Sequence, residues 1–131
     1  IYSNLKKKKM ATANLTSKES IDTTNDSVVI VKNLETVAGG RTLDVTGFGD
    51  EEISAGHVII KETATGEYKP LPTTGTLPAS HTYAGILVAS IRTVNAQSAI
   101  MVRGTVNEAY AKYTIPAGAK TALSLIRFIN E

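Results

Sequence analysis

The sequence predicts a mainly β protein: a small barrel- or sandwich-like domain with one short helix near its C-terminus and an extended N-terminal arm. Three observations predict it. β-branched runs are short and closely spaced, as at Val28–Val31 and Val58–Ile60. Clusters of Gly, Pro, Asn, Asp and Ser stand between them as turn signals. Helical spacing of apolar residues occurs only near the end, at Ala122, Leu125, Ile126 and Ile129.

Residues 1–27 are expected to form the arm. Positions 11–27 are rich in Thr, Ser, Asn, Asp and Lys, with too few apolar residues to fold alone. The chain starts at Ile1, and Met10-Ala11-Thr12 reads as an ordinary initiation. Residues 1–9 are therefore expected to be translated upstream sequence or an addition. The single domain is expected over 28–131. It opens on Val28–Val31 as a strand, broken by Gly39-Gly40. Arg41–Val45 alternates, placing Leu43 and Val45 on one face. Gly47–Asp50 is a turn. A strand over 57–62 and its return over 67–71 make a hairpin, with Gly66 supplying positive φ. Residues 72–81 form a loop.

Tyr83–Ile91 is the longest apolar stretch and reads as a buried central strand. Gly85 in it marks a bulge or a close approach of two backbones. Ala99–Val106 is the next strand. Pro116 opens a helix, because its missing N–H costs nothing in the first turn. Residues 125–129 fit either a continuation of that helix or a closing strand, and a short helix followed by a strand is the favoured reading.

Composition narrows the function classes. With no Cys, disulfides, thiolate metal sites and Cys nucleophiles are excluded. Aromatics are only 5% and Trp is absent, so the core must be aliphatic. The formal charge is +2, but without the run Lys6–Lys9 ten basic residues face twelve acidic ones. The basicity thus belongs to the arm, and a nucleic-acid face is not expected. No apolar run approaches the ~20 residues of a membrane helix. No apolar segment follows the lysines as in a signal peptide, so cytoplasmic synthesis without a membrane partner is expected.

Chemistry-bearing residues are sparse. His57 and His81 lack an HxH or HxxxH spacing, so no metal site or cofactor is expected. Ser80 adjoins His81, but neighbouring side chains on an extended strand point apart and no G-x-S-x-G elbow is present. Asp50-Glu51-Glu52 lacks the alternating ligand order of a Ca²⁺ loop. Gly39-Gly40-Arg41 and Gly47-x-Gly49 are turns, not phosphate loops. An enzyme or small-molecule site could draw only on His57, His81, Asp50 and Glu52, and no catalytic residue is assigned. Tyr83 starts the most apolar strand and reads as core or subunit interface. Tyr110 and Tyr113 flank Lys112 and suit a sheet rim.

From Gly56 to Ile129 the order of features resembles the lambda-type head decoration proteins of tailed phages. The shared pattern is a hairpin, a Gly-rich loop, a strand of the form Ala84-Gly85-Ile86-Leu87-Val88-Ala89 and a further strand with a Gly. An aromatic segment closing on Ile115-Pro116-Ala117, a short Ala/Lys helix and a last apolar strand complete it. The chain is also similar to short head-fibre proteins of phages of gut bacteria. The resemblance implies a β-tulip-like fold, a homotrimer, and an arm that becomes ordered against the major capsid protein on the virion surface. The residues expected to bind the capsid through the arm are Leu15, Ile21, Val28 and Val29, and those expected at the trimer contact are Tyr83, Tyr110 and Tyr113. A segment rich in strands, 28–53, precedes the matching region and departs from the family. That leaves decoration beside a second expectation, the base of a head fibre or adhesin.

Overall fold

The computed structural model describes residues 26–131. The elements follow as α1 (Asp26–Val29), β1 (Ile30–Thr36), β2 (Arg41–Thr42), β3 (Glu52–Ile53), β4 (Val58–Glu62) and β5 (Tyr68–Pro70). Then come β6 (His81–Leu87), β7 (Ile91–Arg92), β8 (Gln97–Ser98), β9 (Ile100–Asn107), α2 (Ala117–Ala122) and β10 (Ile126–Ile129). Six strands form one sheet in the order β1-β9-β6-β4-β5, with β10 also on β9. The pairs β2–β8 and β3–β7 are separate two-stranded ribbons. The protein is mainly β as expected, but among the described residues the main sheet stays open and forms no closed barrel.

Alternation along three strands builds a core on each side of this sheet. Val58 and Ile60 of β4, Ile86 of β6 and Met101 of β9 enter one core, closed by Val29, Leu71, Ile115, Ala119, Leu123 and Ile126. Ile59, Leu87 and Ile100 point the other way and pack with Leu43, Ile53 and Ala96. β4 therefore shows three consecutive buried residues, a pattern that a strand covered on both faces requires. Leu43 and Val45 share the second core, as their alternation predicts.

β9 is the hub. β1 runs antiparallel along one of its edges, from Ile30↔Val106 to Thr36↔Met101. β6 holds the other edge at Ile86↔Met101 and Leu87↔Ile100. Beyond them β10 pairs in parallel, from Ile126↔Gly104 to Ile129↔Asn107. The close approach expected at Gly85 is real. A Cβ there would stand 2.5 Å from the Met101 carbonyl oxygen and 2.6 Å from Ile100 Cγ2.

The hairpin also falls as predicted, with Ile59↔Pro70 and Lys61↔Tyr68 paired and Gly66 at φ +77°. α2 follows Pro116, and its last turn passes through Leu123 into β10.

Three local expectations change. The run Val28–Val31 is not one strand: Val28 and Val29 lie in the helical turn α1, and the strand starts at Ile30. That turn is a second helix, which the reading of the sequence lacked. The stretch 83–91 is two elements, because the chain leaves the sheet after Leu87 and Ile91 pairs instead with Ile53. Of Arg41–Val45, only Arg41 and Thr42 are ladder residues. Leu43 N and Asp44 N donate instead to Ala96 O and Tyr68 O.

The G85A variant should lose about 2–3 kcal/mol, since its Cβ meets main chain that cannot yield. Urea unfolding with an unchanged slope would read this as a lower midpoint.

Candidate interaction surface

The start of the described chain is fastened at two points. Asp26 accepts a hydrogen bond from Ser90 N (2.9 Å) and another from Ser90 Oγ (2.6 Å). Ser90 Oγ in turn accepts from Ala55 N at 3.0 Å. One hydroxyl thus donates once and accepts once, which satisfies a buried serine. Three residues later Val29 is 2% exposed and fills the first core. Its side chain lies directly over Gly56, where any Cβ would collide with Val29 Cγ1. The short α1 turn makes both contacts possible. Its helical geometry sends Asp26 and Val29, at i and i+3, toward the same side.

The residues singled out in the sequence have different fates. Leu15 and Ile21 lie outside the described residues. Val29 is a core residue, so its side chain is not on offer to a partner in this conformation. Val28 is partly exposed.

The three tyrosines do not form one patch through shared contacts. Tyr83 packs on the first core, its ring and hydroxyl within 3.4–3.8 Å of where a Cβ on Gly118 would stand. Tyr110 is exposed in a 3-10 turn, Glu108–Tyr110, and borders a cleft of about 340 Å³ with Asp26, Ser54, Ser90 and Lys112. Tyr113 is half-buried, and its hydroxyl donates to Asp50.

The residues considered for catalysis are placed as follows. His57 is buried, with Nε2 2.7 Å from the Leu71 carbonyl, so this nitrogen carries the proton and donates. Phe48 and Tyr113 meet its ring edge-on at 5.4 and 5.8 Å. Burial pushes the imidazole pKa below its ordinary value of 6.5, against the opposing effects of the Leu71 carbonyl and Asp50. The Tyr113 hydroxyl, helped by Lys112 Nζ at 3.3 Å, holds the Asp50 carboxyl below the usual carboxylate range.

His81 lies elsewhere, bordering a cleft of about 450 Å³ with Asp44, Phe48, Lys69 and Pro72. Asp44 of that cleft accepts from Thr46 N and Oγ1, Lys69 pairs with Glu62 at 3.0 Å, and His81 Nδ1 reaches Ala79 O at 2.8 Å, while His81 Nε2 is buried without a hydrogen-bond partner. Among the described residues no group of three or more His, Asp and Glu could hold a metal ion. No described helix is long and apolar enough to cross a membrane.

Reading the sequence missed β1 as a surface. Five consecutive residues, Val31–Glu35, are exposed although two are large and apolar. After Ile30, which packs on the first core, the strand shows no alternation of burial until Thr36. The lack of period-2 patterning in Ile30-Val31-Lys32-Asn33-Leu34-Glu35 was the available signal.

Replacing Asp26 by Ala should cost about 2 kcal/mol, because two hydrogen bonds to a charged acceptor are lost and buried Ser90 keeps an unmatched N–H. Thermal unfolding of the full chain measures it. His57 gives a pH dependence. Its folded pKa lies below 6.5, so below that pH the unfolded chain takes up a proton that the folded chain refuses. Stability should therefore fall as pH drops through about 6.5 and level off below the folded pKa. In H57Q this part of the slope should vanish, as read by denaturant midpoints between pH 8 and 5.

No protein family matches the chain, and neither a curated protein nor a solved structure is significantly similar to it.

Proposed function

We propose that this chain is an auxiliary protein of a tailed-phage head that decorates and stabilises the capsid shell, as a homotrimer bound through the N-terminal arm expected over residues 1–27. The observation that carries the reading is the fastening of Asp26 and Val29. Whatever precedes Asp26 departs from a fixed point on a domain with two cores. A polar segment holding single apolar residues, Leu15 and Ile21, suits addition to a partner's open strand edge. Ordering such a segment costs entropy, and a fixed root reduces the conformations to be lost. The order of features over residues 56–129, which resembles that of head decoration proteins, supports the major capsid protein as the partner.

The roles of Tyr83, Tyr110 and Tyr113 at a three-fold contact belong to this proposal. The exposed ring of Tyr110 supports its part in it, while Tyr83 and Tyr113 already have intramolecular partners. A fibre or adhesin base is the second reading. It is favoured by the cleft beside Phe48 and His81, which could accept a small polar ligand.

The test is co-sedimentation of the full chain with expanded shells of the capsid protein from the same genome. Wild type should bind, and L15D/I21D should bind at least about tenfold more weakly, as expected when apolar contacts are lost from an interface centre. Equal binding by the variant would sink the role of the arm.

A further inference from the structure

We propose that β1 and the adjoining face of β9 and β10 form a second docking surface, for an acidic protein surface with an apolar centre. The inference rests on the capsid reading above and assigns that partner chemistry to the shell. Three observations carry it.

The first is where exposed apolar side chains collect. Val28, Val31 and Leu34 are three of the six exposed large hydrophobics among the described residues, and all lie within seven positions. Val31 and Leu34 are about half exposed, at 51% and 53%. They are also the two β1 residues that the bulged register leaves without a partner on β9. The bulges thus display them where regular pairing would have turned one face inward.

The second is charge. Lys32 and Arg127 both register with Thr105, from opposite sides of β9. Registered residues project to the same face, so two cations flank one hydroxyl across three strands. This face is opposite Val106, which enters the core. Both cations are exposed, and no carboxylate among the described residues pairs with either. The exposed cation of β9 itself, Arg103, registers with Glu35, an exposed acid of opposite sign. The uncompensated charge is therefore at Lys32 and Arg127.

The third is the edge. β1 pairs only with β9 among the described strands, so its outer side has no neighbour.

These features select among occupants. The bulges interrupt the outer ladder, which disfavours simple strand addition. A second copy related by a two-fold axis would set Lys32 and Arg127 against their own kind. Nucleic acid would lay phosphates beside Val31 and Leu34. An acidic protein surface with apolar residues at its middle satisfies both the stripe and the cations.

Two variants of the full chain test this against the same expanded shells: V31D/L34D and K32E/R127E. All four positions are exposed, so circular dichroism and melting temperature should match wild type. Each variant should bind at least about tenfold more weakly, and wild-type binding should weaken as salt rises. Wild-type affinity in both folded variants overturns the surface and leaves the arm reading intact. If wild type does not bind shells, the capsid reading falls and this surface with it. If V31D/L34D changes only the mass seen by light scattering, the stripe is a contact between copies and the proposal is wrong. A gain of binding to a DNA duplex by wild type, lost in K32E/R127E while shell binding persists, overturns it equally.

Discussion

Two pairs of residues hold this fold together. Ile86↔Met101 and Leu87↔Ile100 are the whole registered junction between β6 and β9, and so between the β4–β5–β6 half of the sheet and the β1–β9–β10 half. All four side chains are fully buried. Each pair belongs to a different core, Ile86 and Met101 to one and Leu87 and Ile100 to the other. The seam is narrow but packed on both faces, and Gly85 is the small residue that lets the strands draw together beside it. Burying four aliphatic side chains is worth on the order of 6–12 kcal/mol before entropy is counted. A junction of two rungs survives on that burial more than on its hydrogen bonds.

The elements legible in the sequence were those whose cause is local. The hairpin around Gly66 needs only a turn residue between two β-branched runs. The helix after Pro116 and the strand after it follow from a fixed φ and a short apolar run. β9 and the apolar heart of β6 declare themselves by composition. What stayed hidden was decided at long range. Val28 and Val29 look like strand residues, yet Asp26 bonds to a serine 64 positions away and Val29 fits over Gly56, which together favour a turn. The stretch after Leu87 breaks because Ser90 is called to that same bond. The parallel pairing of β10 has no signature in a four-residue strand.

The N-terminal arm expected from composition lies outside the described residues. The exposed stripe on β1 was not legible, because a β-branched run reads as core until the structure shows Val31–Glu35 open to solvent. Of the two valines assigned to the arm, Val29 is buried and Val28 is partly exposed, a difference that one residue of helical rotation creates. His57 and His81 show the reverse case. They attract notice in a list of chemical groups, and geometry places each beside a main-chain carbonyl.

The α1 fastening also sets how the domain bears load. A pull applied at Asp26 is met first by the Ser90 hydrogen bonds, then by Val29 seated in the core. Only when both yield does the pull reach Ile30 and begin to peel β1 from β9, one rung at a time, the weakest direction in which to strain a ladder. A four-residue turn thus serves as strain relief, keeping a pull at Asp26 from unzipping the sheet.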